Sequence, residues 1–244
     1  MKNAVFFCFF LFLLLSAGGC FSGGTASVPA EVKVTAADKI RDGLGVIDLV
    51  DGLTRCNFTV NGKKCWVIVP ENPRQNAIWC WYMAQEKAIN AMTAQKMLLE
   101  NGVYCAFIDS DNEADMLIFY EKLVSLGLNP KVSLAGIAAG AETAYRFAGK
   151  NPEKVKLLYG DSPSCREADA VTLKTMSDAG IAILHIAGTA DTIFPMSENS
   201  DRVEIAYRNL GGVFEIIRKH GRGHRPFGLP YPEATVRFFL QYNK

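Results

Sequence analysis

Short, dense apolar runs alternate along this chain with longer stretches whose apolar positions recur every third or fourth residue. The first kind suits strands buried on both faces of a sheet, and the second suits amphipathic helices. Residues 37–50 read as a short helix. Residues 56–60 and 63–69 flank Asn61-Gly62, a dipeptide that closes a two-residue hairpin, and so predict an antiparallel pair. After the loop 70–75, strands are expected at 77–82, 103–108, 132–134, 155–159, 181–186 and 213–217. Helices are expected at 88–101, 112–126, 142–150, 168–179, from near Ser197 to Leu210, and 233–242. Gly102, Gly127 and Gly180 stand where a helix would end in a left-handed turn.

Strands alternating with helices at this spacing imply right-handed βαβ units, and hence a mostly parallel sheet of about eight strands with helices on both faces. The hairpin adds antiparallel strands at one end. A dinucleotide-binding fold would need a G-x-G-x-x-G turn, and the sequence offers none. There are no internal repeats, and no segment is long enough for a lid domain between the sixth and seventh expected strands.

One turn carries chemistry. Val132-Ser133-Leu134 runs into Gly136-Ile137-Ala138-Ala139-Gly140, and a helical pattern follows at once. This is the layout of a nucleophile elbow, the strained strand-to-helix turn written G-x-S-x-G, with Ala138 where the serine belongs. After the seventh expected strand comes Gly188-Thr189-Ala190-Asp191-Thr192-Ile193-Phe194-Pro195, resembling an acid loop. After the eighth comes His220-Gly221-Arg222-Gly223-His224-Arg225-Pro226. His224 suits the base position better than His220, which would still sit at the strand end. His185 lies inside a strand and reads as a core residue. The chain order of elbow, acid and histidine is that of α/β-hydrolases.

Further stretches resemble exported bacterial serine ester hydrolases associated with polysaccharide breakdown. They are Phe58-Thr-Val-Asn-Gly62, Trp66-Val-Ile-Val-Pro70, Trp79, Asn151-Pro-Glu-Lys-Val155, Asp161-Ser-Pro163 and Leu184-His-Ile-Ala-Gly188. The resemblance implies the α/β-hydrolase fold with little or no lid. It implies a site at the carboxyl ends of the strands with Asp191 and His224 as acid and base, and oxyanion donors at Ala139 and Met83. Tyr82, Phe194 and Arg225 are expected at the substrate. Arg222 and Arg225 either receive an anionic group or solvate the loop. Ala138 sits at the nucleophile position and is not reactive, because an acyl-enzyme needs an oxygen or sulfur nucleophile beside the base. A non-catalytic or altered role is therefore expected. The alternative is an active hydrolase of carbohydrate or small acyl esters that uses activated water or a substitute nucleophile such as Cys165 or Ser162. Ser164 lies in the same loop, with Asp161 as another acid, while Ser133 should be buried and Ser110 reads as a loop residue.

Composition narrows the rest. A chain of 244 residues that is 49% hydrophobic supports one full-sized core. Its 26 Lys and Arg against 25 Asp and Glu give no basic stripe for nucleic acid, so no nucleic-acid partner is expected. Lys2 and the apolar run 4–15 read as a signal peptide, too short to span a bilayer comfortably. Ser16-Ala17-Gly18-Gly19-Cys20 resembles a bacterial lipobox, which makes Cys20 the expected lipidation site and membrane anchor; the alternative is ordinary cleavage near Gly19. Residues 1–20 are thus assigned as signal, 21–36 as a tether and 37–244 as a single domain. Cys56 and Cys65 would sit diagonally across the hairpin, Cys80 and Cys105 fall in strands, and no cysteine or histidine spacing suggests a metal or calls for a cofactor. A small-molecule or glycan ester is the expected ligand.

Overall fold

The computed structural model describes residues 34–244. The signal segment, Cys20 and nearly all of the tether lie outside the described residues. The domain opens with α1 (Ala36–Gly43), which begins on the last residue assigned to the tether. Thr35 and Asp38 form a capping box, the Asp38 N–H donating to Thr35 Oγ1 (3.2 Å) and the Thr35 N–H to Asp38 Oδ2 (3.0 Å).

A nine-stranded sheet follows, in the order β1-β2-β3-β5-β4-β6-β7-β8-β9. Its antiparallel end is β1 (Val46–Val50), β2 (Leu53–Val60) and β3 (Lys63–Ile68). β4 (Trp79–Met83), β5 (Tyr104–Ile108), β6 (Val132–Ile137), β7 (Val155–Asp161), β8 (Ala182–Gly188) and β9 (Phe214–Lys219) run parallel to one another, and β3 joins β5 antiparallel. Helices α3 (Glu113–Ser125), α4 (Gly140–Lys150), α5 (Ala170–Asp178) and α6 (Ser200–Asn209) pack on one face with α1. The other face carries α2 (Gln95–Glu100) and α7 (Glu233–Tyr242). This is the α/β-hydrolase architecture.

Two expectations are corrected. Residues 37–50 are not one helix: β1 supplies a ninth strand and puts the elbow after the sixth rather than the fifth. Val46, Leu49 and Val50 have helical spacing, yet they lie on an edge strand folded back by Asp51-Gly52. Both residues of that turn have positive φ, 51° and 79°, which is the Asn61-Gly62 device used a second time. Residues 88–101 are likewise not one helix. Short 3₁₀ turns at Glu86–Ala88 and Ala91–Thr93 precede α2, and Asn90 starts the second by accepting from the Met92 N–H at 2.9 Å. Ala94, at φ 68°, then breaks the path.

Alternation along β4 sends Trp79 and Trp81 to the α3/α4 face, where their rings stack 6.0 Å apart and Trp81 meets Phe119 and Phe147 at 5.0 and 5.1 Å. Cys80 and Tyr82 point to the opposite face. Cys56 pairs with Val67, and Cys65 with Phe58, so the two thiols are diagonal; the five cysteines among the described residues are buried and free.

His185 is a core residue. Its Nε2 meets the Tyr145 hydroxyl at 2.8 Å and its Nδ1 the Ser200 hydroxyl at 3.0 Å, tying α4 and α6 to β8. Burial pushes its pKa down to about 3. Unfolding frees it to titrate near the ordinary value of about 6.5, so the unfolded chain binds its proton first. This contribution to stability is complete above about pH 6.5 and is lost progressively as pH falls toward 3. Urea midpoints for the parent should fall by an amount worth a few kcal/mol, on the order of that linkage, across this window. In His185→Gln the decline should be shallower; parallel curves for the two proteins would refute the assignment.

Candidate active site

The elbow is built by backbone crowding. Ala138 has φ 53°, a left-handed conformation that a residue with a Cβ occupies only under constraint. Its N–H donates to the Asp161 carbonyl at 2.9 Å, and its carbonyl accepts from Ser164 (3.1 Å) and Ala141 (3.1 Å), so the end of β7 clamps the turn on both sides. Gly140 lies so close to β4 that a Cβ there would fall 1.8 Å from the Met83 carbonyl oxygen. At the start of α4 the Ala139 and Gly140 N–H groups have no carbonyl one turn behind them, which leaves two donors at the positive end of an 11-residue helix.

The acid and histidine loops interlock across the ends of β8 and β9. The Ala190 N–H donates to the Arg222 carbonyl (2.9 Å), and the Gly221 N–H to Thr189 Oγ1 (2.9 Å). Asp191 Oδ1 accepts from the Ile193 and Phe194 N–H groups at 2.9 and 3.0 Å, which fixes the carboxylate before it meets the histidine. Its Oδ2 lies 2.9 Å from His224 Nδ1, with the Asp191 side chain 1% and the His224 side chain 13% exposed. A carboxylate at Nδ1 sets that nitrogen as the donor and leaves Nε2 as the acceptor. The imidazole edge is held between Phe194 and Phe227, each ring 5.2 Å away and nearly perpendicular.

These parts surround a chamber of about 240 Å³ whose lining includes Ile137, Ala138, Ala139, Phe194, His224 and Phe227. Arg225 reaches it too, its guanidinium 4.7 Å above the Phe227 ring. Ala138, Asp191 and His224 are therefore brought together as the strand-end argument expects, with Ala139, Phe194 and Arg225 beside them. Several other expectations are corrected. Tyr82 is fully buried and donates to the Thr93 carbonyl (3.0 Å), because strand alternation turns it under α2. Met83 packs its carbonyl against Gly140 and borders an adjoining cavity of about 410 Å³ with Asp109 and Asp111. Gln85, not Met83, lines the chamber from that loop.

The substitute nucleophiles are also out of reach. Cys165 is buried, and burial pushes its thiol up to about 12. Ser162 is 1% exposed at φ 43° and absent from the chamber wall, while Ser164 donates to Glu142. Asp161 hydrogen-bonds Tyr159 rather than His224. Gln85, Ala88 and Ile193 also line the chamber, and no motif in the sequence marks them as site residues.

Searches against family models and against curated proteins found no match. Solved structures do match. Over 81% of this chain and 98% of its own, Est1E from Butyrivibrio proteoclasticus is 13% identical with a TM-score of 0.57, and a second structure of Est1E holds ferulic acid. A cold-adapted esterase from an Arctic intertidal metagenomic library is 12% identical, covering 82% and 98% of the two chains, with a TM-score of 0.61. A Bacteroides ovatus chain assigned as a dipeptidyl aminopeptidase IV is 12% identical over 78% of this chain, with a TM-score of 0.58, and this chain spans 35% of its length. Similarity at this level establishes the α/β-hydrolase fold.

The loop interlock gives a direct test. A Cβ at Gly188 would lie 2.3 Å from the Arg222 carbonyl and 2.4 Å from that of Gly223. Gly188→Ala should force the two loops apart and destabilise the domain by about 1–3 kcal/mol, the usual range for overpacking. Thermal unfolding should show a Tm lower by several degrees, on the order of 2–4 °C per kcal/mol for a domain of this size. An unchanged Tm would contradict the packing described.

Proposed function

We propose that this protein uses an ester-hydrolase frame to bind a ligand rather than to cleave one. The observation that carries the reading is Ala138 at the strained apex of the elbow, beside a hydrogen-bonded Asp191–His224 pair. A methyl group cannot attack a carbonyl, and neither Cys165 nor Ser162 lines the chamber in its place. What the chamber keeps is recognition: apolar walls from Ile137, Phe194 and Phe227, donors at Ala139 and Gly140, and an acceptor at His224 Nε2. That set suits a small acyl or aryl ester or acid. The binding of ferulic acid by Est1E, a protein of the same fold, agrees with an aromatic group of this size.

The chemical test restores the missing oxygen. Ala138→Ser should leave the backbone in place and give hydrolysis of p-nitrophenyl acetate roughly 10³-fold or more above the parent, given how much removal of a triad serine costs elsewhere. The parent should be inert. Parent activity that disappears in His224→Ala would overturn the binding reading and favour water activated by His224.

The apolar run 4–15 and the small residues before Cys20 support export with a lipid on Cys20. Mass spectrometry of the mature amino terminus should find a diacylated cysteine. An unmodified end near Gly19 would refute the anchor.

A further inference from the structure

The histidine loop is held by more than its contact with Asp191. Lys219 ends β9, and its ammonium lies in a nearly closed setting, the side chain 9% exposed. It donates to the Pro226 carbonyl at 2.8 Å, two residues beyond His224. On its other side stands Asp161 at the end of β7, with Oδ1 3.7 Å away and the side chain wholly buried. That oxygen has no hydrogen bond from any described side chain, while Oδ2 accepts from the Tyr159 hydroxyl at 2.5 Å. Burial pushes the Asp161 carboxyl upward, and the Lys219 charge, the Tyr159 hydroxyl and the nearby Gly228 N–H oppose the rise. Among the described residues, Lys219 is thus the one charge that answers this carboxyl group.

Neither residue touches the chamber. Both nonetheless join the parts that form it. Asp161 passes its own carbonyl to the Ala138 N–H, and the Lys219 carbonyl accepts from the Thr189 N–H (3.2 Å) of the acid loop and the Arg222 N–H (3.1 Å) of the histidine loop. We propose that the buried Asp161–Lys219 pair positions His224, with Lys219 anchoring the loop through Pro226 and Asp161 holding the lysine in place beneath it. The inference rests on His224 being a working group of the chamber, as in the reading above, but it concerns geometry and requires no catalysis. An ion pair buried this deeply is weak evidence for stability, since desolvation offsets much of the attraction. Its value here is directional: the ammonium can point at Pro226 only while the carboxylate fixes its other side.

Three histidines make the test readable by nuclear magnetic resonance of imidazole ¹⁵N shifts in the full chain. With spectra recorded where the imidazole is neutral, the parent's His224 should report a single tautomer that carries its proton on Nδ1, the position from which it donates to Asp191. In Lys219→Met the loop loses its anchor and His224 should show both tautomers in exchange, while His185 retains its buried signature as proof of the fold. Lys219→Arg, which keeps a charged donor, should restore the single tautomer at least in part. A folded Lys219→Met protein with an unchanged His224 tautomer would overturn the proposal. Should that variant lose the His185 signature, Asp161→Asn decides: it keeps the shape of the side chain and should also mix the tautomers, and an unaltered His224 would again refute the idea. An inactive Ala138→Ser protein whose His224 responds as described would remove the functional reading and leave this one standing.

Discussion

The tight join between the end of β6 and the start of α4 is the constraint on which the site depends. Gly140 lets the helix start against the Met83 carbonyl, and that approach forces the residue two places earlier into a left-handed turn. Ala138 accepts φ 53° because its amide and carbonyl are both engaged by the segment after β7, so the surroundings over-determine the conformation. Strain of this kind is worth on the order of 1–3 kcal/mol and persists only where neighbours impose it. The side chain at the apex contributes little to that balance. Packing therefore maintains the elbow whether or not a hydroxyl stands on it.

From the elbow outward, the site is assembled by backbone carbonyls and amides more than by side chains. The acid and histidine loops share hydrogen bonds through Arg222, Thr189 and Lys219, and Asp191 is satisfied by two amides before it meets His224. Desolvating a carboxylate to 1% exposure is expensive unless each oxygen is partnered, and here each is. His185 shows the contrasting solution. It is fully enclosed, meets two hydroxyls instead of a carboxylate, and is held neutral by burial. Two imidazoles in one fold thus occupy different settings: one meets a carboxyl group beside a chamber, and the other meets two hydroxyls inside the core.

Much of this was legible in the residues. The parallel strands announce themselves as apolar runs, and Asn61-Gly62 gives the hairpin and its register, including the diagonal placement of Cys56 and Cys65. Gly136 and Gly140 mark the turn, and strand-end logic brings Asp191 to His224. Three things were not legible, each for a physical reason. Val46, Leu49 and Val50 fit a helix face and a strand equally well, and only the positive φ of Asp51 and Gly52 decides between them. The stretch 88–101 has helical composition but is interrupted at Asn90 and Ala94, which hid Ala88 from the chamber, and no motif marks Gln85 before it. Tyr82 ends an expected strand and so is placed at the substrate, yet pleat direction sends it beneath α2, where its hydroxyl donates to a carbonyl.

An elbow that carries Ala138 and no oxygen changes what the polar groups around it are able to do. In a working triad the serine hydroxyl occupies the histidine's acceptor nitrogen, and the oxyanion donors stay empty until the transition state forms. With Ala138 in that place, His224 Nε2 has no hydroxyl to meet from the elbow, and Ala139 and Gly140 line the same chamber. A ligand that carries both a donor and an acceptor, separated by a small apolar body, satisfies both sides at once in the ground state. An active hydrolase gains nothing from such ground-state fit, because interactions equal in substrate and transition state do not lower the barrier. On the proposed reading, the same groups that would stabilise a developing oxyanion act as fixed hydrogen-bonding partners for a bound molecule. The geometry of catalysis and the geometry of recognition thus differ here by one oxygen atom.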